Sequence, residues 1–293
     1  MNGPDRLAVQ RSFRRAASRF AAADFLHGEI RERLLERFEL VRLEPEIAVD
    51  LGAGPGLGAS AMALRFPDAR IMAVDLAADM LRPAARESQR LTAVQPLCGD
   101  AAALPLNDGS VDLVFSNLLL HWCADPGRVL QEVRRVLRHP GLFSFSTFGP
   151  ATLGELRAAW LQADSFSHVL VFPEMHNLGD ALVAAGFAEP VLDTEYLTVT
   201  YPDVRRLAED LRAVGATNLT VGRSRGLTSR STWARMVAAY EQFRDADGRI
   251  PAVIEVIYGH AWVAPDRPQQ RSTAAGEIEV PLGNLTRRGK LDR

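Results

Sequence analysis

Three aspartates and a run of glycines are the residues of this chain whose types and spacing could do chemistry together. Asp50 stands just before Gly52, Gly54, Gly56 and Gly58 in AVDLGAGPGLGAS, Asp75 lies 23 residues after Gly52, and Asp100 lies in CGDAAALPL. No lysine or arginine occurs between Leu43 and Leu64. The phosphate-binding loop of nucleotide hydrolases, which needs a lysine after its last glycine, is therefore excluded. A dinucleotide pattern can be laid on Gly54, Gly56 and Ala59, but alone it is a weak signal. Asp50 and Asp75 would repel a diphosphate brought close and would suit a ligand with cationic groups. S-adenosylmethionine is such a ligand, with an ammonium, a sulfonium and a ribose that bears no phosphate. Glycines let the backbone approach it. Asp75 would take the ribose hydroxyls, and Asp100 would accept from the adenine amino group.

The elements that must position these residues are short apolar runs alternating with helical segments. Residues 47–52, 70–76, 94–100, 111–120 and 142–148 have strand length, which argues βαβ units and a parallel sheet covered on both faces. The acids then fall at strand ends. Residues 13–40 read as one helix rich in Ala, Arg, Leu and Glu. Between Asp125 and Arg138 the expectation is a helix with Asp125 as N-cap and Pro126 in its first turn. Val129, Leu130, Val133, Val136 and Leu137 form its apolar stripe. Arg134, Arg135 and Arg138 would sit at the negative end of its dipole, and Pro140-Gly141 would stop it. Beyond Gly149, residues 152–163, 177–187, 203–213 and 230–243 read as helices, and 192–201 and 252–263 as strands.

Composition sets the outer limits. The 293 residues are 47% hydrophobic, enough for a sizeable core, and a formal charge of -2 favours neither nucleic acid nor an anionic membrane. The two cysteines, Cys98 and Cys123, fall in a segment read as a buried strand and at the start of a loop, without metal-ligand spacing. No metal is expected, and a reducing cytoplasm fits. The N-terminus lacks the apolar run of a signal peptide, and no stretch reaches the ~20 apolar residues that cross a bilayer. The glycosylation-like triplets at Asn218 and Asn284 are then chance matches. Arg11, Arg14, Arg15 and Arg19 cluster near the start and read as a solvated helix face.

The strand-end acids, the glycine loop and VDLVFSN together resemble the class I methyltransferases. That resemblance implies an α/β, Rossmann-like fold: a mostly parallel seven-stranded sheet, helices on both faces and a helical lid insertion. The match extends past the cofactor half. FRRAASRF, FSNLLLHWC, STFGPATLGELRAAW, VLDTEYLTVTYPDVRRL, LRAVGATNLTVGRSRGLT and GRIPAVIEVIYGHAW are similar to the malonyl-acyl-carrier-protein O-methyltransferases of biotin synthesis, from Phe13 to Val263. GATN followed by GR, and TLGEL, are the specific parts. LHW, TLGELR and the tail PQQRSTAAGEI also resemble the methyltransferase-like assembly factors of mitochondrial complex I. The alternatives are therefore a protein-modifying or assembly factor, or a cofactor-binding partner protein without catalysis.

The resemblance implies one methyltransferase unit over 1–264: an N-terminal helix 13–40, a cofactor core 46–150, and a lid with C-terminal part 151–264. A mobile tail follows at 265–293. Its implied cofactor set is Phe20, Asp50, Gly52, Ala53, Gly54, Gly56, Asp75, Leu76, Met80, Asp100, Ala101 and Asn117. His121, Trp122 and Arg223 are the implied substrate-positioning residues, with Arg225 as the other arginine able to orient a malonyl carboxylate. No residue is needed as a general base. The implied partner is acyl-carrier protein bearing a malonyl group, and the implied state is a cytoplasmic monomer. Two positions depart from the family pattern: Phe20 stands where tyrosine is usual, and His27 where glutamine is usual. A phenyl ring can close over the cofactor but donates no hydrogen bond.

Overall fold

A computed structural model describes residues 3–87, 94–224 and 226–264. Arg225 and the segment from Pro265 onward, expected to be a mobile tail, lie outside the described residues. The strands are β1 (Ile47–Leu51), β2 (Arg70–Asp75), β3 (Val94–Cys98), β4 (Val111–Asn117), β5 (Leu137–Phe148), β6 (Phe187–Tyr201) and β7 (Ile250–Val263). They form one sheet in the order β3-β2-β1-β4-β5-β7-β6. The first five pair in parallel, and β7 runs antiparallel to both β5 and β6. Cys98, expected in a buried strand, is exposed because β3 is an edge.

Alternation along the central strands feeds two cores. Ala48, Leu113 and Phe115 face the layer that carries Ile30, Met62, Trp160 and Tyr240. Val49, Leu51 and Val114 face the layer built on Val129, Val133 and Leu182. The first layer comprises helices α2 (Phe25–Glu36), α3 (Leu57–Arg65), α6 (Gly154–Ala163) and α9 (Arg230–Tyr240). The second comprises α5 (Pro126–Val136) and α7 (Met175–Ala184). Both faces are covered, which is why β1 and β4 are almost wholly buried. The remaining helices are α1 (Arg6–Ala16), α4 (Arg82–Glu87) and α8 (Val204–Ala213).

Several boundaries differ from the sequence reading; the helix read over 177–187, for example, is Met175–Ala184, and the strand read from 192 starts at Phe187. Residues 13–40 are not one helix: α1 ends at Ala16, one tight turn spans Phe20–Ala23, and α2 follows. The chain bends there because Phe20 is buried against Ala77, Met80 and Val214, which a continuous helix axis would not allow. Helix α1 also begins earlier than expected, where the Asp5 carboxylate accepts from the amides of Leu7 and Ala8. Asp125 does cap α5, accepting from the Arg128 amide at 3.0 Å, but α5 ends at Val136 and β5 starts at once. Pairing of Leu137 with Val111 of β4 takes those residues into the sheet. Arg138 therefore sits on a strand, with its Nε 2.7 Å from Asp112, and Pro140-Gly141 lies within β5.

Candidate active site

Strand order reverses between β1 and β4, and ligands of open α/β sheets sit outside the carboxyl ends at such a point. A cavity of about 210 Å³ lies there, lined by Gly52, Gly54, Asp75, Asp100 and residues of α1. Asp75 closes β2 with both oxygens engaged: Gly54 N–H donates to Oδ2 at 2.9 Å and Ala77 N–H to Oδ1 at 2.8 Å. Each oxygen keeps a lone pair for a hydroxyl. Burial raises the pKa of Asp75. Asp100 accepts from the Ala102 amide at 3.0 Å and pairs with Arg6 Nε at 2.7 Å. Leu76, Met80, Ala101, Phe20 and Asn117 line the same cavity.

The glycines divide by task. Gly56, at φ +88, lines none of the cavities described here, and a Cβ there would lie 2.5 Å from Cβ of Ala84. A Cβ at Gly54 would meet only Cε of Met80 at 3.4 Å, so Gly54 leaves open space beside Asp75. Gly56 is thus tied to packing against Ala84, and Gly54 leaves the cavity wall open.

Beside this cavity lies a smaller polar one, lined by Asp50, Ala53, Gly54, Asn117, Asp24, His27 and Arg31. Arg31 Nη2 pairs with Asp24 Oδ2 at 3.0 Å. Asp24 Oδ1, Asp50 Oδ2 and His27 Nδ1 are buried and have no hydrogen-bond partner. Burial raises the pKa of Asp24 and pushes Asp50 up to about 7. One guanidinium, paired with Asp24, thus lies beside two carboxyl oxygens without hydrogen-bond partners, a lining whose chemistry suits a group that is both ammonium and carboxylate. Asp24, Arg31, Arg6 and Gln10 were not anticipated from sequence. The first two could have been found, because 24, 27 and 31 share a helical face at i, i+3 and i+7.

A third cavity, of about 100 Å³, is lined by His121, Phe148, Leu156, Val169, Phe172 and Ile254 among others. Phe13, His27 and Trp122 line both it and the 210 Å³ cavity, so these three mark the seam. His121 Nδ1 lies 3.2 Å from Thr147 Oγ1, and its Nε2 has no partner. Burial lowers His121 to about 3 and His27 to about 4, so both rings are neutral at physiological pH. Among the described residues, no Asp, Glu, Lys or Arg lines this third cavity.

Two expected residues stand apart. Arg223 does not line these three cavities. Its Nη1 donates to the Thr220 carbonyl at 2.7 Å and lies 3.7 Å from Asp5, so it holds the start of α1 against the 220 loop. Arg225 falls outside the described residues. Asn117 does border the site, but its amide is committed: Nδ2 donates to the His27 carbonyl at 3.1 Å and Oδ1 accepts from Ser146 at 2.8 Å.

The buried oxygens without partners, the guanidinium beside them and the diol-ready Asp75 fit S-adenosylmethionine along its whole length. Residues 49–145 match the family description "Methyltransferase domain". The YcgJ protein of Bacillus subtilis superposes with a TM-score of 0.58 at 17% identity, over 80% of this chain and 99% of that one. A Haemonchus contortus phosphoethanolamine N-methyltransferase 2 solved with S-adenosyl-L-methionine gives 0.51 at 16% identity, over 80% of this chain and 52% of that one. Both show the fold. A malonyl-acyl-carrier-protein O-methyltransferase of Gallionella capsiferriformans is 44% identical over 92% of this chain and 95% of its own length. One from Halorhodospira halophila is 43% identical over 97% of this chain and 96% of its own. These relatives favour the first of the two resemblances over the assembly factors, and the chain belongs to the malonyl-acyl-carrier-protein O-methyltransferase family of S-adenosylmethionine-dependent enzymes.

Proposed function

We propose that this enzyme methylates the free carboxylate of malonyl-acyl-carrier protein, giving the ester that primes pimeloyl and biotin synthesis. The observation that carries the proposal is the acceptor cavity itself: it joins the cofactor cavity at Phe13, His27 and Trp122, and no Asp, Glu, Lys or Arg lines it among the described residues. Of its three imidazoles, His27 and His121 are weak bases, and His168 has its Nε2 engaged by the Asp164 carboxylate at 2.8 Å. An amine acceptor, protonated at neutral pH, would need a stronger base than these. A malonyl carboxylate arrives already ionised.

When bound, S-adenosylmethionine supplies a methyl group on a sulfonium, an electrophile that a carboxylate takes without proton transfer. The chain's own residues do the rest. Asp75 would hold the ribose hydroxyls, Asp100 the adenine edge, and Asp24, Arg31 and Asp50 the amino-acid end. Phe13 and Trp122, edge to face at 5.4 Å, wall the seam. Phe148 and Phe172 keep water from the acceptor. Holding a carboxylate in line is worth ~7–11 kcal/mol in well-oriented systems. The ester has a physical purpose as well, because an ionised carboxylate costs several kcal/mol to bury; masking it lets the chain enter the apolar pockets of chain-elongating enzymes.

The test uses methyl-labelled cofactor with malonyl-acyl-carrier protein. Label released by mild base, with acetyl-acyl-carrier protein inert, is the expected outcome. Base-stable label, or label on an unrelated protein alone, rejects the malonyl acceptor.

A further inference from the structure

Three side chains border both the cofactor and acceptor cavities: Phe13, Trp122 and His27. The methyl group must cross at this seam. Phe13 is apolar and Trp122 is a donor only, whereas an imidazole is both donor and acceptor. His27 also borders the small polar cavity, so it meets all three spaces.

Its placement is tightly held. The His27 carbonyl accepts from Asn117 Nδ2 at 3.1 Å, and Asn117 is itself fixed by Ser146. The ring meets Phe20 edge to face at 5.0 Å. Yet Nδ1 is buried without a partner. His121 repeats this pattern on the other wall. Its ring lies 4.6 Å from that of Phe148 and 5.6 Å from that of Phe172, and Nε2 has no partner. Because Nδ1 is already hydrogen-bonded to Thr147, Nε2 is the ring nitrogen of His121 left for a ligand. Two buried ring nitrogens without partners are unusual in a cavity that is otherwise mainly apolar.

We infer that His27, at the seam, is a positioning residue for the acceptor carboxylate, forming a cradle of two imidazole donors with His121 of the acceptor cavity. This rests on the malonyl reading above. The advantage over an arginine clamp is electrostatic: a bidentate guanidinium would hold the carboxylate but draw off the electron density it needs as a nucleophile. Neutral N–H donors orient it and quench it less. Burial keeps both rings in that neutral form. Glutamine at position 27 would present a neutral N–H donor too, so it should substitute where alanine cannot.

The experiment compares wild type, His27→Ala and His27→Gln, with His27→Leu as a variant that fills the ring's space without a donor should alanine fail to fold. Kinetics are read with malonyl-acyl-carrier protein. Calorimetry follows S-adenosylhomocysteine, and then, on the loaded protein, a malonyl thioester and its methyl ester. Alanine or leucine should raise KM for the malonyl substrate at least tenfold and weaken the malonyl thioester to match. Affinity for the methyl ester should stay within twofold, any loss of S-adenosylhomocysteine affinity should be several-fold smaller than the loss for the malonyl thioester, and glutamine should restore the malonyl KM to within threefold of wild type. Equal losses for acid and ester would overturn the inference in favour of packing. Weakened S-adenosylhomocysteine with unchanged malonyl KM would assign His27 to the cofactor instead. A wild type active on malonyl-acyl-carrier protein but indifferent to the substitutions ends this inference alone; a wild type inert on that substrate ends the malonyl reading and this with it.

Discussion

Asp50 is the residue whose electrostatics say most about cofactor binding. Its carboxyl is 2% exposed, one oxygen has no partner, and burial pushes its pKa up to about 7 from an unfolded value near 3.9. Between those two values the folded protein holds a proton that the unfolded chain lacks. This contribution to stability is therefore complete below about pH 4 and lost as pH rises through about 7. An ammonium placed beside Asp50 needs the ionised form and reverses the preference. Cofactor affinity should then rise between pH 6 and pH 8, by up to about tenfold per unit below the pKa. Titration calorimetry in buffers of different ionisation enthalpy should show proton release on binding. Asp50→Asn should abolish the part of it that comes from Asp50. Affinity that is flat with pH in wild type would remove Asp50 from the ammonium site.

At the scale of elements, α1 is a strap across the cofactor cavity. Arg6 reaches Asp100, Gln10 Nε2 donates to the Leu76 carbonyl at 2.9 Å, and Arg14 pairs with Asp79 at 3.0 Å. From the other side, Ser12 donates to the Gly215 carbonyl at 2.9 Å, and the Asp5 amide to that of Leu219 at 2.7 Å. Exposed ion pairs of this kind contribute ~0–1 kcal/mol and a neutral hydrogen bond ~1, so each polar tie is weak beside the burial of Val9 and Ala16. Arg6→Ala with Gln10→Ala removes about 1–2 kcal/mol of closure on that basis. Stopped-flow measurement should show S-adenosylhomocysteine leaving roughly 5–30-fold faster, with a melting temperature close to wild type. An unchanged off-rate would mean that α1 does not gate the cavity.

For the whole molecule, a formal charge of -2 hides a local asymmetry. Arg11 and Arg15, one turn apart on α1, and Arg19 in the turn beyond it are exposed and have no ion-pair partner among the described residues, whereas Arg14 is paired with Asp79. Acyl-carrier proteins are acidic, and these arginines on and just beyond the strap would steer them toward the site. Raising salt from 50 to 300 mM should increase KM for the carrier-bound substrate roughly threefold or more through screening. A small malonyl thioester should be indifferent. Equal salt sensitivity for both, or no effect of Arg11→Glu with Arg15→Glu on the carrier substrate, would return these arginines to an ordinary solvated face.

The glycine loop, Asp50, Asp75 and Asp100 were legible without coordinates, because a parallel strand is a local apolar run and an acid after it must lie at the sheet's carboxyl edge. The Asp125 cap was legible for the same reason, since it depends on residues three positions apart. Local pattern failed where distant segments decided the outcome. The bend before Phe20 follows from burial against Met80 and Val214, and the early end of α5 follows from pairing of Leu137 with Val111. Arg223 suited an anion by type, but folding sets it beside Asp5. The small polar cavity joins Asp24 and Arg31 to Asp50, and the third cavity joins residue 27 to residue 121. Periodicity shows which face of a helix is turned inward; only packing decides what that face meets, because the contact energy belongs to both partners.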